Sequence, residues 1–230
     1  MKNTLKKPLV VALILLIGVF VLCLGSGMRD FMKTNSTVNV TDATYTSIVE
    51  VEDWSACTTK LIINLGEGRS VKNNEIDQET FNVYVDKYQE DGKTRVQIHD
   101  PADTEWKEPD KMVDVAGGNR KVTKAYVLAK DGNPVDESCY ITVDLENFPD
   151  DILSSALYSD GVFSSKWAVC EFKINQQKDF NMTADGSDVK VKKGNIINES
   201  TGQVRKIVDE FKTGSFTNAK DNVTLTSKIK

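Results

Sequence analysis

Apolar side chains recur at every second position through most of this chain. Leu61, Ile63 and Leu65 do so in one run, Phe81, Val83 and Val85 in a second, and Ala125, Val127 and Ala129 against Tyr126 and Leu128 in a third. The cleanest case sets Cys139, Ile141, Val143 and Leu145 on one side and Tyr140, Thr142, Asp144 and Glu146 on the other; Ala168, Cys170, Phe172 and Ile174 repeat it. Side chains of an extended strand point alternately to opposite faces, so each run builds a sheet with one dry and one wet face. Turn residues stand between the runs, at Gly66-Glu67-Gly68, Glu90-Asp91-Gly92-Lys93, Gly117-Gly118-Asn119, Asp131-Gly132-Asn133-Pro134, Ala184-Asp185-Gly186-Ser187 and Ser200-Thr201-Gly202. Such clusters supply the backbone conformations of antiparallel hairpins. One helical stretch is expected, a connector from Asp150 to Tyr158 capped by Asp150 or Asp151. The pattern predicts an all-β chain folded as an antiparallel β-sandwich of about seven to nine strands.

The N-terminus departs from this pattern. Lys2, Lys6 and Lys7 precede an uncharged apolar run from Pro8 to Leu24, which leads into Gly25, Ser26 and Gly27. That arrangement is an export signal. Charge returns at Arg29, so the stretch is, at about 20 residues, long enough to cross a bilayer as one hydrophobic helix. Two outcomes stay open. The small residues Gly25 and Gly27 suit cleavage before Met28, and the strongly apolar core from Val10 to Leu22 suits retention as a signal anchor. Cys23 follows Leu22, where a lipoprotein site needs a small residue, and reads as part of the apolar core. Residues 1–28 are thus a signal peptide or signal-anchor helix, and the remainder is expected outside the cytoplasm, secreted or held at the membrane by that helix alone. Residues 29–46, rich in Ser, Thr, Asn and Asp, read as a polar stalk, and 47–230 as one domain.

Three of the 29 basic residues and none of the 34 acidic ones lie in the export segment, so the exported part is acidic. That excludes nucleic acid and charge-driven adhesion to anionic lipid. Cys57, Cys139 and Cys170 follow the signal. An odd number leaves at least one free or intermolecular, and a bridge between Cys139 and Cys170 stays open. His99 is the only histidine, so any nucleophile activated by a histidine must use it, yet it ends a strand that runs into the acidic loop Asp100-Pro101-Ala102-Asp103. The carboxylates Asp144, Glu146, Asp150 and Asp151, and the pair Asp185 and Asp188, lack the alternating ligand pattern of a calcium loop. No Gly-x-Ser-x-Gly nucleophile elbow occurs. The reading therefore contains no catalytic residue, no cofactor and no metal. Of the tryptophans, Trp54 reads as a core or edge plug and Trp167 as half covered by its neighbours. Trp106, in the charged loop from Asp103 to Lys111, is the candidate contact for a ligand or partner.

Five segments resemble, in order and spacing, one known domain. They are Val51-Glu52-Asp53-Trp54 with the strand Thr59 to Gly66, then Thr80-Phe81-Asn82-Val83-Tyr84-Val85, Arg120 to Val127, Ile174-Asn175-Gln176-Gln177, and Val208 to Phe216. Together they are similar to the N-terminal immunoglobulin-like domain of bacterial EstA-type esterases across most of Ser47 to Lys230. In that family the domain precedes an α/β-hydrolase domain, which would begin near where this chain stops. The resemblance implies an immunoglobulin-like sandwich and no esterase activity. It points to a non-catalytic accessory or interaction domain, with a protein partner or self-association expected. The alternative is a module for surface polysaccharide that uses loop aromatics such as Trp106.

Overall fold

The computed structural model describes residues 37–206, apart from 53, 100, 101, 103–106, 109, 110, 150 and 160–164, together with the backbone of Gly214–Asn218 and Val223–Ser227. The helix expected over residues 1–28 lies outside the described residues. No helix among the described residues is long and apolar enough to cross a membrane.

The alternating runs become strands with their apolar members turned inward. One five-stranded sheet has the order Glu199–Lys206, Thr44–Val51, Ala56–Asn64, Tyr140–Leu145, Val122–Leu128. A four-stranded sheet runs Ile196–Ile197, Val169–Gln176, Phe81–Tyr88, Gly117–Arg120, and a second five-stranded sheet runs Thr37–Val38, Ser187–Val191, Phe180–Ala184, Arg69–Lys72, Glu137–Ser138. Leu61, Ile63, Ile141 and Val143 from the first sheet, Phe81, Val83, Val85, Phe172 and Ile174 from the second, and Val71, Phe180 and Val191 from the third share a single core. Each large apolar side chain so covered contributes roughly 1.5–3 kcal/mol. At the hairpin between Phe180–Ala184 and Ser187–Val191, Asp185 (φ 49°) and Gly186 (φ 75°) take the two left-handed positions of a two-residue turn.

Several expectations are corrected. Twenty strands form among the described residues rather than seven to nine, because many span only two to four residues, too few for alternation to register in sequence. The pairing is not wholly antiparallel: Thr37–Val38 runs parallel to Ser187–Val191, and Glu199–Lys206 parallel to Thr44–Val51. No α-helix forms over 151–158. Ser154 and Ala156 instead exchange main-chain bonds with the Ala56–Asn64 strand, Thr58 N–H donating to the Ser154 carbonyl at 2.9 Å and Ala156 N–H to the Ala56 carbonyl at 2.7 Å. Groups committed to a sheet edge cannot close helical turns. Asp151 still acts as a local cap, its Oδ1 accepting from Leu153 N–H at 3.0 Å. The expected stalk also carries core residues, since Val40, Ala43 and Tyr45 are each 1% exposed.

On the Val122–Leu128 strand, Tyr126 donates its hydroxyl to Asp144 Oδ1 at 3.3 Å. Burial, reinforced by that carboxylate, pushes the phenol up to about 12. A spectrophotometric titration should therefore show a late tyrosine step that disappears in Tyr126→Phe. If the variant titrates like the parent, the late step belongs to another tyrosine.

Candidate functional site

Two cations stand where the packing would otherwise be apolar. Phe81, Val83 and Val85 point inward, and the same parity brings Lys87 to the core face, 0% exposed. Arg120, at the end of Gly117–Arg120, is 5% exposed. Lys87 Nζ donates to the carbonyls of Ile152 at 2.7 Å and Leu157 at 3.0 Å. Arg120 Nη1 donates to the Leu153 carbonyl at 2.8 Å, and Nη2 to those of Glu146 at 2.7 Å and Thr58 at 3.2 Å. Every one of these acceptors is main chain, and all but Thr58 belong to the irregular segment 146–157. A buried carbonyl outside a helix or long ladder needs a donor, and here two long basic side chains provide it. Burial pulls both cations below their ordinary values.

The thiols near this clamp are inert. Burial raises both Cys57 and Cys170, which keeps them protonated at neutral pH. Cys57, Cys139 and Cys170 are all free, so no bridge joins Cys139 to Cys170.

The clamped segment meets a second loop. Glu52 N–H donates to the Ser55 carbonyl at 2.8 Å, closing a turn that carries Trp54. Asn147 Nδ2 donates to Glu52 Oε1 at 3.1 Å, and the Ser55 and Ser155 hydroxyls lie 3.2 Å apart. These bonds fix the two loops to each other; the loops present Trp54 (46% exposed) and Phe148 (51%) to solvent, and Val51 (39%) at the end of the Thr44–Val51 strand is exposed as well. Trp54 is thus not the core or edge plug expected of it. Trp167 is half covered, as expected: it packs against Val49, Ala56 and Ala156, and the Arg205 guanidinium lies 3.7 Å from its ring centroid. Trp106, the candidate contact, lies outside the described residues. His99 ends the Gln97–His99 strand. Among the described residues no three His, Cys, Asp or Glu side chains gather to hold a metal ion. Sequence reasoning missed Lys87, Arg120 and Phe148; for Lys87 the signal was the strand parity itself.

An all-β chain whose sheets close on one shared core defines an immunoglobulin-like domain. The chain belongs to the family of esterase immunoglobulin-like N-terminal domains, whose model matches residues 44–190. The match is to that N-terminal domain and not to a catalytic one. Among solved structures, a thermostable esterase resembles this chain at 16% identity with a TM-score of 0.49, over 79% of this chain and 40% of that one. The chain therefore spans less than half the length of that esterase. No curated protein sequence matches it.

Proposed function

We propose that this chain is an exported, non-catalytic accessory domain that docks onto a protein partner, a hydrolase foremost, through the end carrying Val51, Trp54 and Phe148. Membership of a family of esterase N-terminal domains supports the accessory role. The observation that carries the docking surface is the pair of exposed aromatics on loops tied to each other and anchored from within by Lys87 and Arg120. Aromatic anchors held in place before binding are the groups that dominate protein interfaces, because little ordering remains to oppose association. Residues 1–28 serve as the export segment in this reading, and the domain works outside the cytoplasm.

The test is retention of extracellular proteins on the immobilised chain. A hydrolase should be retained, and Trp54→Ala and Phe148→Ala should each weaken it by about thirtyfold, the effect of losing one anchor worth about 2 kcal/mol. Undiminished retention on both variants would remove this surface from consideration. Retention on insoluble polysaccharide that Trp106→Ala abolishes would instead favour a carbohydrate-binding module.

A further inference from the structure

Glu199–Lys206 is the outermost strand of its five-stranded sheet. It pairs parallel with Thr44–Val51, and among the described residues no strand pairs with its other side. It is held from within, the Thr201 hydroxyl donating to the Tyr45 carbonyl at 3.1 Å and the Arg205 guanidinium stacking on Trp167. Of its eight residues only Gln203 is half-buried, and the others are exposed. A bulge interrupts the ladder between Ser200 and Gly202, and from Gly202 to Lys206 the pairing is regular. Successive residues of a strand turn their main-chain groups to opposite edges, so every second residue of that stretch offers both its N–H and its carbonyl to the open side. The other edges differ. On the far side of the same sheet, Val127 N–H is taken by Asn73 Oδ1 at 3.0 Å, and Ala125, of the same parity, is buried. The outer strands of the other two large sheets span only two to four residues.

A long bare edge is a template for another chain, and sheets that remain alone blunt it with proline or with charge in mid-strand. This strand has neither. Glu199 opens it, Arg205 and Lys206 close it, and the five residues between are uncharged. Val204, 46% exposed, stands in that uncharged middle. The charges also give the strand a direction. A second Glu199–Lys206 strand laid antiparallel sets its acidic start beside the basic end of the first, and does so at both ends at once. Laid parallel, it sets like charge against like. Side chains of this length reach partners directly opposite or one diagonal step away.

We propose that a second copy of this chain adds to that edge, the two Glu199–Lys206 strands pairing antiparallel about a two-fold axis so that the two five-stranded sheets become one. The main chain supplies the rungs, and Glu199 of each copy meets Lys206 of the other. A two-fold uses each bare edge once, and the joined sheet ends on both sides in the covered Val122–Leu128 strand, so assembly closes at two. Lys206 lies beside Glu50, next to Val51. The antiparallel arrangement therefore turns the Trp54 turns of the two copies in opposite directions and leaves both open to a partner. The interface uses none of the docking residues Val51, Trp54 and Phe148, and either assignment can fail alone.

The test is sedimentation equilibrium of the full chain in a neutral detergent, for the parent and a charge-swap series. The parent should reach a dimer and go no further as concentration rises. Lys206→Glu and Glu199→Lys should each weaken the dimer by about tenfold, since each turns two attractive cross-strand pairs into repulsive ones. The double variant Glu199→Lys/Lys206→Glu restores opposite charges across the two-fold and should recover the parent's affinity. Trp54→Ala should leave the dimer unchanged, so failure here does not touch the hydrolase test. A monomer at all concentrations would overturn the proposal, and would leave this edge bare or covered by another segment of the same chain. A dimer indifferent to the single changes, or one that the double variant fails to restore, would overturn it as well by placing the contact elsewhere.

Discussion

Replacing Arg120 with leucine is expected to destabilise the domain by about 3 kcal/mol, the loss of two to three charge-assisted bonds set against the relief of burying a cation. The guanidinium gives bonds of 2.7, 2.8 and 3.2 Å to three carbonyls, two in the segment 146–157 and one on the Ala56–Asn64 strand. Leucine fills much of the space and satisfies none of them. In a domain of this size the change corresponds to a fall in Tm of roughly 6–12 °C. The loss should also be local, with the amides of Thr58 and Ala156, which pair with the segment, exchanging faster relative to core amides such as Val83. Arg120→Lys should recover less than half, since one ammonium cannot span the fork of acceptors. Lys87→Met should cost less than Arg120→Leu, because it orphans two carbonyls and removes a cation that burial already disfavours. A Tm within about 2 °C of the parent for Arg120→Leu would mean that water replaces the guanidinium and that the clamp does not hold the segment.

The parts of the fold legible in the sequence are those with sustained alternation. Leu61 and Ile63, Phe81, Val83 and Val85, and Ile141 and Val143 are all buried as their parity requires. Thr142 breaks the rule on the wet face, buried to 1% because Tyr140–Leu145 is a central strand with Ile62 and Tyr126 beside Thr142. Composition misled at Val40 to Tyr45, where polar neighbours hide three core residues within a stretch that reads as stalk. Apolar pattern also misled at Ile152 to Leu157, where a helical spacing belongs to a segment whose backbone is claimed by a neighbouring strand and two side-chain cations. The candidate site was hardest to read. Trp54 and Phe148 lie far apart in sequence, and their loops are joined through the contacts of Glu52 with Asn147 and of Ser55 with Ser155, which no local pattern encodes.

Tyr45 ties the Thr44–Val51 strand to Phe172 across the core, and its replacement carries the largest expected effect. Its ring is 1% exposed and meets Phe172 edge-on, with centroids 6.0 Å apart and planes at 87°. Tyr45→Ala should cost about 4 kcal/mol, from the cavity and the lost aromatic contact together. Tyr45→Phe keeps the ring and removes only the hydroxyl that accepts from Phe172 N–H, leaving a buried donor unpaired at a cost of about 1–2 kcal/mol. Both variants also separate from the parent in pH dependence. Burial raises the Tyr45 phenol above its ordinary 10.0. A group whose folded pKa is raised contributes stability below its unfolded value and loses it as pH climbs through the folded one. Cys57 and Cys170, raised above 9.0, act in the same direction. Urea midpoints should therefore fall between about pH 9 and pH 11, and the fall should be shallower in Tyr45→Phe, which has no phenol to ionise. An identical slope in the parent and Tyr45→Phe would place alkaline unfolding on the thiols and Tyr126 and leave the Tyr45 hydroxyl as a packing group whose proton never matters.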